Sequence, residues 1–505
     1  MTGVFDVATV RRAEESVMAV VPEGALMERA ATGLADACAT LLHEADIDVV
    51  GSHIVLLVGS GNNGGDTLYA GARLARRGAQ VHAICLSETF HSGGLAALRD
   101  AGGRIPAQGD IDKVVAQADL ILDGIVGIGG RGALRPNAAE LARDAERSGA
   151  LIVAVDIPSG VNADSGAVAD PEAVVDADAT VTFGCLKPGL VASPGRDRAG
   201  AVILVDIGLA EALPVARTQI LDADALAAAV PEPGPEDYKY SRGVVGIAAG
   251  SARYRGAAFM ATDSARHGNV GMVHVLDRGD GLAAAIVDRF WDVVVSTDAP
   301  ASVQRATAWT VGPGLGLDAE AHATLTAVLA SPVPVVVDAD ALRLLRDEAP
   351  WAALRERTAP TVITPHVGEF AALGYQVGSG ADEDRLEAAR AAARDLGVVV
   401  VLKGPGTVVA SPSGAAYIDT WGGPELGTAG SGDVLAGLTG ALVAGTAARG
   451  QCADVDAAAC VAAAAVGLHG IAGRLAGAEG RPVTAPDIIA AIPSAIAGVR
   501  RGVIT

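Results

Sequence analysis

Short apolar runs alternate with segments of helical length along most of this chain of 505 residues. Runs of four to eight apolar residues, bounded by Gly, Asp or Pro, are typical of parallel strands buried on both faces. From about Ile54 to Ile207 there are six of them: IVLLV, QVHAICL, LILDGIV, LIVAVDI, ATVTFG and AVILVDIG. The pattern predicts an α/β fold with a doubly wound, Rossmann-like sheet, and favours stacked β-α-β units over a β-sandwich.

A proline-rich segment interrupts the alternation. Three prolines lie between Pro231 and Pro235, and proline continues neither a helix nor a central strand. We therefore expect an N-terminal domain of residues 1–213, a linker of residues 214–236 and a second domain of residues 237–505. In the second domain the alternation restarts with different glycine signals, in GVVGIAAG, VHVLD, VVVS, AWTVGPG, VPVVVDAD, TVITPH and VVVLKG. This predicts a second doubly wound domain rather than a repeat of the first.

Helical spacing of apolar residues over Val7 to Glu44 predicts helical structure before the first sheet, packed on that sheet or on a second subunit. The five cysteines are scattered and contain no C-x-x-C, so we interpret them as buried thiols in a reducing compartment. Only 3% of the residues are aromatic and 64 are glycine, which indicates closely packed aliphatic cores and many tight turns.

A formal net charge of -21 argues against a general affinity for nucleic acid or for an anionic membrane, since both require a cationic face. The N-terminus has no signal-peptide pattern. No uncharged apolar run approaches the roughly 20 residues of a spanning helix, and the nearest is the stretch after Val434. We expect a cytoplasmic protein without nucleic-acid or membrane partners, assembled as a homo-oligomer.

The first apolar run leads into GSGNNGGD, where Gly59, Gly61 and Gly64 form the G-x-G-x-x-G pattern of dinucleotide-binding turns. Ligands of open α/β sheets bind outside the carboxyl ends of the strands, so polar residues at those ends are site candidates. They are Asn62, Asn63, Asp66, Asp123, Asp156 and Ser159. Each has a structural alternative as well: Asp66 can favour a helix dipole, and Ser159 can cap a turn.

Asp66 decides against an ordinary pyrophosphate site. A helix N-terminus favours an anion by about 0.3–1 kcal/mol, but an acid already at that position competes for the same N–H groups. Amide and carboxylate oxygens together are hard ligands, which suit an alkali or alkaline-earth cation as well as the hydroxyls of a sugar or ring.

In the second domain, LGTAGSGDVLAGLTGALVAG provides the strongest signal. Gly430 and Gly432 allow backbone N–H groups to form an anion-binding concavity, and Asp433 lies at the start of the following helix. A base beside an anion site is what phosphoryl transfer to a hydroxyl needs. The alternative is a glycine-rich turn that only serves helix packing.

Two further strand ends carry candidates. Lys403 follows VVVL and precedes Gly404, Gly406 and Thr407, an arrangement that suits phosphate contacts, with a surface lysine before a hairpin as the alternative. His366 follows TVITP, with Glu369 three residues later. A lone histidine is often structural, and its strand-end position is what suggests a function.

The motifs of the first domain, GSGNNGGD, DLILDGIVGIGGRG, VAVDIPSGVNADSG and VTFGCLKPGL, resemble the NAD(P)H-hydrate epimerases of the YjeF N-terminal type. The resemblance implies that Asp156 is the acid/base group and that Asn63, Asp123 and Ser159 bind K⁺. It implies a substrate site for hydrated NADH and NADPH made of Asn62, Asn63, Gly64, Gly65, Asp66, Gly127, Ile128, Gly129, Gly130, Arg131, Gly132, Ala133 and Asp156. One departure is Thr67, where the family commonly has glycine, with the bulky Tyr69 two residues later.

The second domain resembles the ribokinase-like, ADP/ATP-dependent NAD(P)H-hydrate dehydratases of the YjeF C-terminal type, through YSRGVVGIAAGSARYRGAA, VGPGLG, VVDADAL, ITPHVGE, LKGPGT and GTAGSGDVLAG. The resemblance implies Asp433 as the base, Mg²⁺ as counter-charge, and ADP or ATP as phosphate donor, with ADP favoured because bacterial members generally use it. It implies nucleotide contacts from Lys403, Gly404, Pro405, Gly406, Thr407 and Gly432. The implied contacts with the hydrate come from Ala258, Gly314, Gly316, His366 and Asp433.

Together the two resemblances predict a bifunctional enzyme that interconverts the R and S hydrates and dehydrates the S form. One alternative is a nicotinamide-dependent dehydrogenase fused to a small-molecule kinase, which would need Asp66 to tolerate a pyrophosphate and an acid near Glu88 to hold the ribose. A second is a non-catalytic N-terminal module on an active dehydratase, which the joint presence of Asn63, Asp123, Asp156 and Ser159 argues against.

Overall fold

The computed structural model describes residues 1–504, except residues 280, 298, 301, 302 and 304. The chain divides into two compact units. The N-terminal unit comprises Gly3–Arg217 and Gly378–Asp384, and the C-terminal unit comprises Met1–Thr2, Thr218–Val377 and the chain from Arg385 onwards. The predicted two-domain α/β architecture is confirmed, whereas the predicted domain bounds 1–213 and 237–505 stay a prediction.

The first part of the chain contains seven strands and seven helices. The strands are β1 (Thr2–Val4), β2 (His53–Val58), β3 (Gln80–Cys85), β4 (Leu120–Gly124), β5 (Leu151–Val155), β6 (Ala179–Phe183) and β7 (Ala201–Val205). The helices are α1 (Val7–Met18), α2 (Ala25–Glu44), α3 (Asn62–Arg76), α4 (Ser92–Asp100), α5 (Ile111–Ala116), α6 (Pro136–Ser148) and α7 (Pro188–Val191).

The N-terminal unit is built on a parallel sheet of six strands in the order β3-β2-β4-β5-β6-β7. All six predicted runs form its strands. The expectation that every strand is buried on both faces is wrong for β7, where Val202 and Leu204 are 36% and 44% exposed. β7 lies at the edge of the sheet, so it has a neighbouring strand on one side only.

The sheet reverses its strand order at β2, which pairs with β3 on one side and β4 on the other. In open α/β sheets, the crevice at the carboxyl ends of such strands is the usual ligand site. The segment that begins at Gly59 follows β2, and the segment that begins at Ile125 follows β4. The topology therefore brings the two predicted epimerase loops to one crevice.

The helical region predicted over Val7 to Glu44 is two helices, since the chain leaves α1 before Pro22 and enters α2 at Ala25. Asp6 caps α1 by accepting a bond from the Thr9 amide. α2 packs on β7 closely enough that a Cβ added to Gly33 would collide with Val205. α2 therefore packs on the first sheet, which is one of the two arrangements expected for this helical region, the other being packing on a second subunit.

Among its described residues, the rest of the chain contains ten strands and eleven α-helices. The strands are β8 (Thr218–Ile220), β9 (Val244–Ala248), β10 (Met272–Leu276), β11 (Val294–Ser296), β12 (Ala308–Val311), β13 (Val335–Val337), β14 (Thr361–Ile363), β15 (Val399–Leu402), β16 (Val408–Ala410) and β17 (Ala416–Ile418). The helices are α8 (Ala223–Ala229), α9 (Arg255–His267), α10 (Leu282–Arg289), α11 (Ala319–Leu329), α12 (Asp340–Leu344), α13 (Glu348–Arg355), α14 (Val367–Ala372), α15 (Arg385–Leu396), α16 (Ser431–Ala448), α17 (Val455–Ala476) and α18 (Ala485–Arg500).

The sheet of the C-terminal unit has its strands in the order β8-β17-β16-β15-β14-β13-β12-β9-β10-β11. The strands from β9 to β15 are parallel, whereas β16 is antiparallel to both β15 and β17. β9 pairs with β10 and β12, so the strand order reverses there. The seven runs predicted for this domain are all strands, and the antiparallel additions on one side were not predicted.

The predicted linker, residues 214–236, contains β8 and the capped helix α8. Trp421 donates a 2.7 Å bond to the Leu221 carbonyl, which ties this segment to the C-terminal unit. The prolines from Pro231 to Pro235 follow α8 instead of separating two folded units. Proline content identified an irregular segment after α8, and the predicted linker bounds stay a prediction.

The sequence predicted that the stretch after Val434 comes nearest to the length and composition of a membrane-spanning helix, and this prediction is wrong. The structure has one helix, α17, that is long and apolar enough to cross a membrane by length and composition among the described residues. In its most apolar window 78% of the residues are buried inside the unit, as in a core helix of a soluble fold. Its run of alanines packs beside α16 and α18.

Candidate active sites

The glycine turn of the N-terminal unit joins β2 to α3, which begins at Asn62. The Gly59 amide donates to the Gly124 carbonyl at 3.1 Å, and a Cβ on Gly59 would collide with the Ile125 carbonyl oxygen. A Cβ on Gly64 would in turn collide with the Gly59 carbonyl. These glycines are thus required where the turn after β2 approaches the segment after β4.

A cavity of about 650 Å³ opens beside this turn, within the range of small-molecule sites. Seven predicted residues line it: Asn62, Asn63, Asp66, Gly127, Ile128, Gly129 and Asp156. Gly64 and Gly65 are buried in the first turn of α3, and the loop from Gly130 to Ala133 is outside the lining. The structure therefore assembles the first part of the predicted 127–133 loop at the cavity and directs the second part elsewhere.

Asp156 lies directly after β5 with φ +68°, a conformation that is uncommon for a residue other than glycine and is often found at functional sites. Its Oδ1 accepts bonds from Lys187 Nζ at 2.6 Å, Thr182 Oγ1 at 3.0 Å and the Phe183 amide at 3.3 Å. No partner is found for Oδ2 among the described residues. One carboxylate oxygen is thus anchored, and the residue lines the cavity with the other available to a ligand.

Lys187 is the buried counter-charge of Asp156, with only 1% of its side chain exposed. Besides Asp156, its ammonium donates to Thr182 Oγ1 and to the Phe183 carbonyl, both at 2.9 Å. Three acceptors satisfy the three ammonium protons, which a buried lysine requires. Lys187 holds the Asp156 carboxylate in place and balances its charge.

Asp123 and Ser159 form a second buried pair of the N-terminal unit. The Ser159 hydroxyl donates to Asp123 Oδ1 at 2.6 Å, and the Ser159 amide donates to Oδ2 at 2.8 Å. Burial raises the pKa of Asp123 to about 6, although the bonds from Ser159 oppose the increase. Asn63 packs against Gly127, and its buried Nδ2 has no partner among the described residues.

These three residues present a carboxylate, a hydroxyl and an amide oxygen as donors, a set of hard oxygens that fits a monovalent cation such as K⁺. The Val126 carbonyl lies 3.2 Å from Ser159 Oγ and adds a fourth oxygen to that set. Asp123 and Ser159 are in direct contact, whereas no bond joins Asn63 to either of them. The predicted ligands are therefore compatible with the ion, with two of the three brought together.

Two further carboxyl groups face the same cavity. Burial raises the pKa of Asp66 well above its usual value, and the charges of Asp156 and Glu14 add to the increase. Burial and the Asp156 charge also raise the pKa of Glu14, which lies on α1. Asp66 Oδ1 is buried without a hydrogen-bond partner. The cavity therefore combines one ion-paired carboxylate with two acids that hold their protons more tightly.

The departure at Thr67 does not reach the cavity. Thr67 is fully buried and contacts Gly124 of β4, where an added Cβ would collide with its hydroxyl. Its Oγ1 donates to the Asn63 carbonyl at 2.7 Å. Tyr69 packs edge-on against the His91 ring, with 5.4 Å between centroids. Both side chains pack behind the turn and support it.

Sequence reasoning missed several residues at this cavity. Arg11, Glu14 and His91 line it, and Lys187 anchors Asp156. Arg11 and Glu14 lie on α1, far from the strand ends that were searched. Lys187 belongs to the quoted motif VTFGCLKPGL, so a lysine shortly after a strand end was the signal that was available for it.

In the C-terminal unit, Asp433 is the third residue of α16, behind Gly430 in the left-handed conformation with φ +87°. Burial raises the pKa of Asp433 to about 7; the Asp338, Asp340 and Glu369 charges add to this, and Lys403 opposes it. A Cβ on Gly432 would lie 3.4 Å from Lys403 Nζ. Asp433 is therefore poised to exchange a proton near neutral pH.

Lys403 connects the predicted nucleotide loop to this acid. Its Nζ donates to Asp338 Oδ1 at 2.7 Å and lies 3.8 Å from Glu369 Oε2. Burial would lower the pKa of Lys403, but Asp338 and Glu369 outweigh it and raise the pKa. β15 does lead into an antiparallel hairpin partner, yet the Lys403 side chain is only 18% exposed. The alternative of a surface lysine is therefore wrong.

The loop after Lys403 has the backbone geometry of a close approach to a ligand. Gly404 and Gly406 have φ of +147° and +60°, and Pro405 lies between them. Thr407 Oγ1 donates to the Gly404 carbonyl at 2.9 Å, which closes the loop. Gly404 and Pro405 are exposed, whereas Gly406 and Thr407 are buried, so the backbone of this loop is accessible at Gly404 and Pro405.

His366 forms the N-cap of α14. Its Nδ1 accepts from the Gly368 and Glu369 amides at 3.0 and 3.2 Å, and Glu369 Oε2 accepts from the His366 amide at 2.9 Å. The His366 side chain is 60% exposed. This capping box fixes Nδ1 as an acceptor and leaves Nε2 at the surface. The structural role considered for this histidine is therefore present, and its Nε2 lies 3.6 Å from Glu369 Oε1.

The remaining predicted hydrate contacts differ in accessibility. Gly314 and Gly316 lie between β12 and α11 with φ of +59° and +85°. The Gly316 amide donates to Asp340 Oδ2 at 2.9 Å. Ala258 is completely buried on α9, and a Cβ on Gly250 would lie 2.7 Å from its Cβ. The structure thus turns the Ala258 side chain into the core, away from any accessible ligand surface.

Metal-binding side chains do not cluster in the part of the chain that the structure describes: no group of three or more His, Cys, Asp and Glu has suitable geometry. Mg²⁺ commonly keeps several waters and binds through substrate phosphates instead of an all-protein cage. The carboxylates around Asp433 and the accessible loop after Lys403 are compatible with an ion that arrives with a nucleotide.

Comparison with known proteins gives the same division of the chain. Residues 23–189 match the family model described as YjeF-related protein N-terminus, and residues 245–494 match the one described as NAD(P)H-hydrate dehydratase. The bifunctional NAD(P)H-hydrate repair enzyme Nnr of Mycobacterium tuberculosis is 43% identical over 453 residues, which cover 89% of this chain and 90% of the relative.

A more distant relative and a solved structure are also similar. The enzyme of the same name from Escherichia coli K12 is 35% identical over 430 residues, covering 80% of this chain and 81% of the relative. A crystal structure of the ADP/ATP-dependent NAD(P)H-hydrate dehydratase from Bacillus subtilis, co-crystallised with ATP/Mg²⁺, is 26% identical. It covers 55% of this chain and 98% of its own, with a TM-score of 0.46.

Two α/β units, each with an acid at the carboxyl ends of its strands, define an enzyme with two active sites. The relatives specify which enzyme: the chain belongs to the family of bifunctional NAD(P)H-hydrate repair enzymes. The alternatives of a dehydrogenase fused to a kinase and of a non-catalytic N-terminal module are not supported by this membership.

Proposed function

We propose that the N-terminal unit interconverts the R and S hydrates of NADH and NADPH at Asp156, and that the C-terminal unit dehydrates the S hydrate at Asp433. The observation that carries the proposal is that each unit has one acid with an environment suited to proton transfer. Asp156 has one oxygen bonded to Lys187 and the other available at the cavity, whereas Asp433 has a pKa of about 7.

The chemistry of the first reaction needs a group that moves a proton to and from a ring hydroxyl. In the hydrate, the hydroxyl is on the carbon next to the ring nitrogen, so the nitrogen lone pair assists its departure and its return on either face. Asp156 exchanges the proton, an effect typically worth roughly 10²- to 10⁴-fold in rate. Asn62, Asn63, Asp66 and the turn from Gly127 to Gly129 surround the hydrate in the cavity.

The second reaction converts a poor leaving group into a good one. Asp433 removes the proton of the ring hydroxyl, and the hydroxyl oxygen attacks the terminal phosphorus of the nucleotide, whose bond to the bridging oxygen breaks and releases AMP from ADP or ADP from ATP. The ring nitrogen then expels phosphate and forms a carbon–nitrogen double bond, and loss of a proton from the adjacent ring carbon restores the reduced nicotinamide. Lys403 and the backbone from Gly404 to Gly406 bind the nucleotide phosphates, and the N-terminus of α16 provides dipoles for the transferring group.

K⁺ and Mg²⁺ complete the two sites in this proposal. Asn63, Asp123 and Ser159 hold K⁺, which supplies positive charge beside the segments that follow β2 and β4. Mg²⁺ arrives with the nucleotide and supplies counter-charge to its phosphates. We favour ADP as the phosphate donor with ATP as the alternative. The cytoplasmic location and the homo-oligomer stay predictions of the sequence.

Two variants of the full chain test the assignment. Asp156→Asn is expected to lose epimerisation and retain dehydration of purified S hydrate, and Asp433→Asn to show the reverse pattern. Epimers are separated chromatographically over time, and dehydration is followed by the absorbance of reduced nicotinamide with and without ADP or ATP. Full epimerisation by Asp156→Asn, or an unimpaired dehydration rate in Asp433→Asn, would refute the corresponding role.

A further inference from the structure

Glu14 is an acid of the epimerase cavity that has no role in the proposed mechanism. It lies on α1, half-buried, and lines the cavity together with Asp156 and Asp66. No hydrogen bond or ion pair engages its carboxyl group within the described ranges. Asp156, by contrast, is bonded through Oδ1 to Lys187, Thr182 and Phe183. Glu14, whose carboxyl group makes no bond within the described ranges, and Asp156, whose carboxylate is held in place, therefore line the same cavity.

We propose that Glu14 is a second catalytic residue of the epimerisation, the acid that protonates the departing hydroxyl while Asp156 acts as the base. The inference rests on the proposed function of the N-terminal unit. It follows from the different surroundings of the two groups, because a cavity that reacts at one carbon needs a proton donor and a proton acceptor in place at once.

The electrostatic surroundings separate the two roles. Burial raises the pKa of Glu14; Asp156 adds to this, Lys187 and Arg11 oppose it, and Glu15 contributes a small increase. Asp66 on α3 interacts unfavourably with both acids, and Glu23 and His91 also line the cavity. Lys187 is bonded to Asp156 and not to Glu14. The lysine therefore keeps the negative charge on Asp156, and a proton shared among these acids resides elsewhere.

Epimerisation by Glu14 and Asp156 consists of two proton transfers and the exchange of one water molecule. Glu14 transfers its proton to the hydroxyl, the carbon–oxygen bond breaks, water leaves, and the nitrogen lone pair forms a carbon–nitrogen double bond. Water then adds to the opposite face, a carbon–oxygen bond forms, the electron pair returns to nitrogen, and Asp156 accepts the proton of the incoming water. The reverse reaction uses the two groups in exchanged roles.

The test uses the full chain with Glu14→Gln and a matched control, Glu15→Gln, which removes the neighbouring exposed charge on α1. Each protein receives one pure epimer, without nucleotide, and epimerisation is followed from pH 5 to pH 9 with the spontaneous rate subtracted. The rate of the wild type should fall along an alkaline limb as the pH rises, because Glu14 must be protonated to donate its proton. Glu14→Gln should lower kcat roughly 100-fold, keep KM within threefold and lose the alkaline limb.

A decrease in kcat of less than tenfold, a change confined to KM, or a retained alkaline limb in Glu14→Gln overturns the proposal, as does an equal loss in Glu15→Gln. Dehydration of the S hydrate by the same samples and a melting curve report on folding. If Glu14→Gln does not fold, Glu14→Asp decides: it should retain the alkaline limb with reduced kcat, and wild-type kcat overturns the proposal. A wild type that does not interconvert the epimers would instead refute the proposed function itself.

Discussion

Asp433 has opposing effects on stability and catalysis. Burial among Asp338, Asp340 and Glu369 disfavours its charge, and only Lys403 opposes this. The same surroundings raise its pKa to about 7, which suits a base that must accept a proton near neutral pH. The buried charge of Asp433 therefore lowers the free energy of unfolding, while the raised pKa makes the residue a better base at neutral pH, a combination that is common at active sites.

Asp433→Asn should consequently stabilise the C-terminal unit at alkaline pH. Because the folded-state pKa is above the unfolded value of 3.8, the native state binds the proton more tightly, and stability is lost as the pH rises from about 4 to about 7. Removing the charge should recover up to about 4 kcal/mol at pH 8, since each unit of the pKa shift corresponds to about 1.4 kcal/mol, and nothing at pH 4. Denaturant unfolding of both proteins at the two pH values measures this, and equal stability at pH 8 would contradict it.

The dehydration rate should follow ionisation of the same group. Below about pH 7, kcat/KM should fall tenfold for each pH unit as Asp433 becomes protonated, and above it the rate should level off. Lys403, Asp338, Asp340 and Glu369 surround the group and set this midpoint together. A rate independent of pH between 5 and 7, with substrate binding unchanged, would exclude Asp433 as the base.

Lys187 is expected to be essential to the stability of the N-terminal unit, because its loss leaves the buried Asp156 carboxylate without a counter-charge. Lys187→Met removes the partner of a buried carboxylate, and breaking such a pair typically costs about 3–5 kcal/mol. Melting curves of the full chain should show a destabilised N-terminal transition. The double variant Lys187→Met with Asp156→Asn should recover part of that loss, because no uncompensated charge remains. A double variant no more stable than Lys187→Met would contradict the ion-pair account.

At the scale of elements, the sequence predicted the parallel strands well because they are fully apolar runs between turn residues. The reversal of strand order at β2 then places the segments that follow β2 and β4 at one crevice, where their polar residues line the cavity. Edge and antiparallel additions such as β1, β8, β16 and β17 were not predicted. β1 and β8 contain Gly3 and Gln219, which interrupt an apolar run, whereas no local pattern distinguishes β16 and β17 from the equally short β11, β13 and β14, which were predicted.

Residues of the candidate sites were predicted where they follow strands and missed where they lie on other elements. Asp123, Asp156, Lys403 and Asp433 were found from strand ends and glycine turns. Glu14 on α1 could not be found, because only tertiary packing brings that helix to the cavity. Ala258 was placed in the site by resemblance alone, and its position in the core depends on packing that no local pattern encodes.

The glycines of α16 let it pack closely against α9. A Cβ on Gly437 would collide with the Ala261 carbonyl oxygen and Ser264 Oγ, so Gly437→Ala should destabilise the C-terminal unit by about 1–3 kcal/mol through overpacking. Gly256→Ala is the matched control, because nothing lies near the added Cβ on α9 and alanine favours the helix by about 1 kcal/mol. Thermal unfolding compares them, and equal or higher stability of Gly437→Ala would contradict the close packing.

At the scale of the whole molecule, the chain resembles two families because each of its two units has its own acid and its own reaction. The second reaction consumes only one epimer, so the first supplies it from the other. The charge of -21 does not prevent binding of an anionic dinucleotide, since Arg11, Lys187 and Lys403 provide local positive charge at the two sites. The global charge argues against polyanionic partners, which stays a prediction, and the positive charge available to a small anion is local to the two sites.

The most direct test of the bifunctional account starts from the pure R hydrate and measures the absorbance of reduced nicotinamide. With ADP or ATP present, the wild-type chain should convert all of the R hydrate to reduced cofactor, whereas Asp156→Asn should proceed only at the rate of spontaneous epimerisation and Asp433→Asn should give no absorbance. Without nucleotide, the wild type should yield a mixture of epimers and no absorbance. Recovery of absorbance without nucleotide, or recovery by Asp156→Asn at the wild-type rate, would contradict the account.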